Sequence, residues 1–416
     1  MITRKDTSQI KILYDIQQHF GNKRICFFDI ETTGFSRLKN SIYLIGVVYY
    51  DNHSLKSIQW FDDDGHSEQE IILEFITFIK DFDVVINYNG NSFDIPFIEA
   101  KAEFYELQFS FDNFISYDIY KEVFNYRFFF GLDNLKQKSL ELFLKIQRDD
   151  EYDGGRLIQI YYDYLKRPTK DYLELLLLHN YDDIYGLVKI CDILSYVSII
   201  KGDYTITDYE CNENLIINCH LNNRLKVPFS IRKDNIYISA GNDMLKILIP
   251  LEEKCLKYFY TNYKDYYYLP DEDMAIHKSV AQFVDKGHRT KAKKDNCYTK
   301  KNGVFAREFS EIFKPAFKEE SNSKEFYFEI NDFYNIINNN SNNIGNTTNV
   351  NINNNSDNTT NVNANDNSNS NFDNNPNNLS ELYTYVNDII KNISRKHWED
   401  YPLTGSPLNI NSDRLD

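Results

Sequence analysis

Residues 25–50 read ICFFDIETTGFSRLKNSIYLIGVVYY. Two apolar runs, ICFFDI and IYLIGVVYY, flank a polar loop rich in turn formers, the pattern of adjacent buried strands. The first run carries Asp29 and Glu31, one residue apart, and alternation along a strand turns both carboxylates to one face. Like charges side by side raise the cost of ionising both unless a cation lies between them. Hard divalent cations such as Mg²⁺ or Mn²⁺ take oxygen ligands. A lone Asp-x-Glu is commonplace at a strand end; Thr32, Thr33 and Gly34 directly behind it make this one more specific.

Outward from this stretch, strands and helices alternate. Ser67 and Glu70 have capping-box spacing, and Ile71, Ile72, Phe75 and Ile79 then recur at helical intervals before the strand DVVIN. INYNGNSFDIPFI at 86–98 runs from that strand through an Asn/Gly turn into a helix at 95–106, with Asp94 at its start. Alone, Asp94 would only complement the helix dipole. A helix is expected at 133–147, with Leu135, Ser139, Leu142 and Ile146 on one face. Another at 170–192 follows Pro168 and Thr169, with Leu173, Leu176, Leu177, Ile184, Leu187 and Val188 on its apolar side. Within it, LLLLHNYDDIYGL at 175–187 sets His179 and Asp183 four residues apart on one face. Asp182 is a rival for the same role, about 100° around the helix.

The chain thus divides into an N-terminal extension (1–24), an α/β domain (25–200), a strand-rich accessory domain (201–335), an Asn-rich linker (336–378) and a C-terminal helix with a tail (379–416). The linker is mainly Asn, Ser, Thr and Asp and cannot bury enough surface to offset its ordering entropy, so disorder is expected there. In the last segment Leu379, Leu382, Tyr383, Val386, Ile390 and Ile393 predict one docking amphipathic helix. Lys and Arg number 46 against 62 Asp and Glu, a formal charge of −16, which excludes a surface that binds polyanions everywhere. No apolar run approaches the roughly 20 residues of a bilayer span, and a cytoplasmic protein is expected. The six cysteines stand too far apart for a zinc knuckle or redox dithiol.

In combination and order, FDIETTG, NYNGNSFD and HNYDD resemble the three motifs of the DEDD-type RNase H-like 3′-to-5′ exonucleases. The resemblance is closest to the YprB-like branch, which shares YNGxxFDIP, HNxxDI and the GLDNLKQKSLELFL segment. It implies an α/β RNase H-like fold, a mixed central sheet flanked by helices, over about 25–195. It also implies that Asp29, Glu31, Asp94 and Asp183 hold two divalent cations, Mg²⁺ or Mn²⁺, for hydrolysis of single-stranded DNA or RNA. The main DEDD subclasses place Tyr four residues, or His five, before the last Asp; here His179 stands four before Asp183. An imidazole can accept a proton from water at neutral pH, which makes His179 the expected general base. A non-catalytic nucleic-acid-binding module and an RNase H-like endonuclease remain as alternatives. Lys286, Arg289, Lys291, Lys293, Lys294, Lys300, Lys301 and Arg307, with Tyr298, form the most basic stretch, either a strand-binding patch or a solvated loop.

Overall fold

The computed structural model describes residues 1–339 and 380–394, apart from 22, 52, 53, 128 and 150–153. Most of the Asn-rich run expected to be disordered, and the C-terminal tail, lie outside the described residues.

The first half is built on a six-stranded sheet of β1 (Ile2–Ser8), β2 (Ile25–Thr32), β3 (Ile42–Asp51), β4 (Ser54–Phe61), β5 (Val84–Asn87) and β6 (Ile115–Asp118), ordered β1-β4-β3-β2-β5-β6. β1, β4, β3 and β2 pair antiparallel, while β2, β5 and β6 are parallel. Parallel neighbours need crossovers, and α2 (Glu68–Ile79) and α3 (Asp94–Phe104) supply them after the short α1 (Ile16–His19). Because β2 and β3 are covered on both faces, their sequences are near-continuous apolar runs. On one face Phe28 and Ile30 pack with Ile71, Phe75 and Phe97 of α2 and α3. The opposite face receives α4 (Ile119–Val123), α5 (Gln137–Phe143), α6 (Gly154–Lys166) and the long α7 (Lys170–Lys189), which continues towards α8 (Leu194–Ile200). Thr169 caps α7, its side chain accepting from the Tyr172 N–H.

Three local expectations change. Residues 2–8, grouped by sequence with an extension, are the edge strand of this sheet, paired with β4 from Ile2↔Phe61 to Ser8↔Leu55. Ser67 is the N-cap of α2, but its side chain makes no capping bond. Its hydroxyl is held by Asp64 Oδ1 and the N-terminal ammonium, while Asp62 Oδ1 gathers the N–H groups of residues 64–67 at 2.8–3.3 Å. In α5 the buried side is Leu140 and Glu141, and Leu142 is 79% exposed, because the helix turns Gln137 and Glu141 towards polar partners on and beside α7.

The second half holds a seven-stranded sheet of β7 (Tyr204–Cys211), β8 (Asn214–Leu221), β9 (Phe229–Lys233), β10 (Ile236–Gly241), the 16-residue β11 (Met244–Phe259), β15 (Tyr298–Glu308) and β16 (Phe326–Glu329). A three-stranded sheet of β12 (Tyr266–Leu269), β13 (Met274–His277) and β14 (Thr290–Lys291), with α9 (Lys278–Ala281), is inserted between β11 and β15. α10 (Ile330–Asn339) and α11 (Ser380–Ser394) complete the described chain. One apolar cluster runs from Phe27 and Ile86 through Ile184, Leu187 and Tyr196 to Ile217, Leu245 and Tyr385, so α7 and α8 join the two sheets through a continuous core.

The expected docking helix is α11, which buries Leu382, Tyr385, Val386, Ile389 and Ile390. Tyr385 also donates from its hydroxyl to the Arg307 carbonyl at 2.6 Å. Tyr385→Ala is expected to lower the unfolding free energy by about 3–5 kcal/mol in a urea titration. A loss below about 1 kcal/mol would show that α11 does not contribute to this core.

Candidate active site

The alternation of β2 sets Phe28 and Ile30 towards α2 and α3 and leaves Asp29 and Glu31 on the face that α7 covers. What lets α7 approach is Gly46, opposite Asp29 in the β2–β3 register and opposite Gln59 in the β3–β4 register. A Cβ on Gly46 would overlap the Asn180 side-chain oxygen. Asn180 fills that space, donating from Nδ2 to Asp29 Oδ2 at 3.2 Å and accepting from Gln59 Nε2 at 2.9 Å. Gln59 Nε2 also reaches the Leu177 carbonyl at 2.9 Å. Asn180 and Gln59 are both buried, so this bridge over three strands fixes the position of Asp29 and of the α7 backbone.

One turn of α7 then delivers the remaining groups. His179 Nε2 lies 3.1 Å from Asp183 Oδ2 and 3.5 Å from Glu31 Oε1. Ligand atoms of Glu31, His179 and Asp183 all fall within 4.8 Å of one another. Asp94 enters from the other side of β2 as the first residue of α3, its Oδ1 accepting from the Ile30 N–H at 3.2 Å. The turn before it is pinned by Asn87 Oδ1 on the Gly90 N–H (2.9 Å) and Asp118 Oδ1 on the Asn89 N–H (2.8 Å). Asp182, the rival of Asp183, is buried and accepts from the Asp149 N–H at 2.9 Å. Carboxylate oxygens of Glu31 and Asp183 converging this closely, with Asp29 held beside them and His179 at their edge, suit a divalent cation.

Crowding perturbs the carboxyls. Burial, then the charges of Asp94, Asp183 and Glu31, pushes Asp29 well above the usual carboxylate range, against the Asn180 hydrogen bond. Burial pushes Asp94 up to about 7, although the Ile30 N–H opposes it. Burial also acts on Asp183, but His179 and Arg148 outweigh it and hold this carboxyl below its ordinary value.

Arg148 and Glu141 are the residues that sequence reasoning passed over. Arg148 Nη2 is 2.6 Å from Asp183 Oδ1, and its Nη1 lies 3.0 and 3.1 Å from the two Glu141 oxygens. Glu141 lies within the GLDNLKQKSLELFL segment, but no local period marks a pairing between residues 35 positions apart.

The basic stretch proves to be divided. Lys300 pairs with Asp273, Lys301 with Glu329 and Asp332, and Arg307 with Asp234 and Glu325. Tyr298 is buried and donates to Asp273, so its ring is not a stacking surface. Lys286, Lys291, Lys293 and Lys294 are exposed. Closer to the acidic cluster, Phe35 is 90% exposed on the loop after β2, its ring 6.2 Å from that of Phe93, the residue before Asp94.

Residues 26–195 match the RNase_H_2 family model, described as RNase_H superfamily. This part of the chain is similar to the RNase H superfamily. Members of that superfamily use divalent metal ions, in keeping with the donor set above. A DNA polymerase of Pyrococcus glycovorans is 38% identical over 91 residues, 19% of this chain and only 12% of the polymerase. The family B DNA polymerase of Pyrobaculum calidifontis aligns with a TM-score of 0.34 at 15% identity, covering 58% of this chain and 35% of the polymerase. Among the described residues no helix is long and apolar enough to cross a membrane.

Asp94 makes the stability of the metal-free protein depend on pH. Its carboxyl rises from an ordinary 3.8 to about 7 on folding, so between these values the native state binds more protons than the unfolded chain. Stability of the metal-free protein is therefore expected to fall as pH rises across that window and to level off above it. Urea midpoints measured at intervals from pH 4.5 to 7.5 check this, and Asp94→Asn is expected to flatten the decline. A stability that climbs through the window would contradict the assignment.

Proposed function

We propose that this chain is a metal-dependent 3′-to-5′ exonuclease of the DEDD type, hydrolysing phosphodiester bonds of single-stranded DNA or RNA. The observation that carries the reading is the convergence of Glu31, His179 and Asp183 on one point beside Asp29. Asp29, Glu31, Asp94 and Asp183 are the residues that would hold two divalent cations, Mg²⁺ or Mn²⁺. Bound there, such cations supply Lewis acidity to a phosphate and lower the pKa of water.

The chain's own groups have separable tasks in this reading. Asp29, held by Asn180, which Gln59 holds in turn, would anchor the site. Glu31 and Asp183 present oxygens from β2 and α7, and Asp94 presents its carboxyl from the first turn of α3. His179, whose Nε2 lies 3.1 Å from Asp183 and 3.5 Å from Glu31, would take a proton from an attacking water as general base rather than ligate a cation. Phe35 and Phe93 offer ring faces at the edge of the site for unpaired bases, which favours a single strand over a stacked duplex.

End-labelled single-stranded DNA and RNA oligonucleotides incubated with Mn²⁺ test the reading. Stepwise shortening from the 3′ end is expected, lost in chelator and reduced to the no-metal level by Asp29→Ala or Asp183→Ala. Internal fragments would assign an endonuclease instead, and nucleic-acid binding that survives both substitutions without any cleavage would assign a non-catalytic binding module. Phe35→Ala is expected to raise KM about tenfold with little change in kcat, since stacking on one aromatic ring is worth ~1–3 kcal/mol per base. An unchanged KM would remove Phe35 from the substrate path.

A further inference from the structure

Arg148 places a buried positive charge against the cluster that is proposed to hold cations. Its side chain is 10% exposed, and one end of the guanidinium meets Asp183 Oδ1 at 2.6 Å. The other end lies 3.0 and 3.1 Å from the two oxygens of Glu141. This dock is built by several elements. Glu141 is 1% exposed on α5 and sits where a Cβ on Gly186 of α7 would overlap its Oε1. Gln137 Nε2 joins the two helices, donating to Glu141 Oε1 at 3.0 Å and to the Asp183 carbonyl at 2.9 Å. The backbone after Arg148 is tied to α7 by the Asp149 N–H on Asp182 Oδ2 at 2.9 Å. A rigid planar fork held at two points fixes the orientation of both carboxylates it touches.

The consequence for Asp183 is directional. Its Oδ1 is committed to Arg148, and only Oδ2 faces His179 Nε2 and the point shared with Glu31. Glu141 meets a different terminal nitrogen of the guanidinium from Asp183, so its negative charge offsets positive charge beside the site.

From this geometry we infer that Arg148, docked on Glu141, is a positioning residue that restricts Asp183 to a single-oxygen ligand. The inference rests on the proposed function, because it assigns Asp183 to a cation. It gives opposite signs for two substitutions. Arg148→Gln frees Oδ1, allowing Asp183 to offer both oxygens, so divalent cations bind more tightly while kcat falls. Glu141→Gln removes one negative charge from beside the site, so cations bind more weakly. A merely structural role would move both variants the same way.

The test is a Mn²⁺ titration of the full chain followed by electron paramagnetic resonance, without substrate. The dissociation constant is expected to fall in Arg148→Gln and to rise about tenfold in Glu141→Gln, the latter at the lower end of the loss caused by changing partners behind metal ligands. Arg148→Lys, which keeps the charge without the fork, is expected to fall between Arg148→Gln and the unsubstituted protein. Should Arg148→Gln show no cooperative unfolding, the Lys and Glu141 variants decide the question by the same signs. Shifts of equal sign, or none, in a protein that binds Mn²⁺ overturn the role of Arg148 alone. Failure of the unsubstituted protein to bind Mn²⁺ overturns the proposed function and this role with it.

Discussion

Helix α7 can bring its polar residues to β2 only because Gly46 has no side chain. Asn180 occupies the vacated volume above β3 and makes its two hydrogen bonds sideways, to Asp29 on β2 and from Gln59 on β4. Those three residues are neighbours across the sheet, so the register of three strands and the rotation of α7 are set by one buried amide. A buried amide left unpaired costs about 1–3 kcal/mol, which selects this register over slipped ones. With Asn180 fixed, the helix repeat carries His179 and Asp183 to Glu31.

The site is electrostatically costly in isolation, and the fold contains several responses to that cost. Asp29 and Asp94 are driven towards their neutral forms by burial, whereas Asp183 is held ionised beside Arg148 and His179. The carboxyls are thus unequal before any cation arrives. Such local conflict between charge and burial, inside a sheet otherwise consistent in apolar pattern, is characteristic of functional rather than structural positions. The continuous core from the first sheet through α7 and α8 to the second gives the strained cluster a rigid base.

Much of this arrangement was legible in the sequence because it is periodic. Period-two alternation sent Asp29 and Glu31 to one face, and four-residue spacing did the same for His179 and Asp183. Apolar runs located β2, β3 and β5, and helical spacing located α2. Features that depend on long-range partners were not legible. β1 is polar in sequence and becomes a strand only by pairing with β4. Ser67 has the right spacing for a capping box, but Asp64 and the N-terminus take its hydroxyl. Leu142 fits a helical stripe that α5 rotates into solvent. The four-residue spacing to His179 already favoured Asp183 over Asp182, but the Asp149 N–H that Asp182 accepts was not legible. Gln59 and Arg148 carry no local signal at all, since their roles exist only where separate segments meet.

The central claim is that these carboxylates form a cation site, and anomalous diffraction from a crystal soaked in Mn²⁺ tests it most directly. Anomalous density is expected against Asp29, Glu31, Asp94 and Asp183, with His179 alongside. Density confined to other acidic surfaces, or absent from this cluster at saturating Mn²⁺, would contradict it.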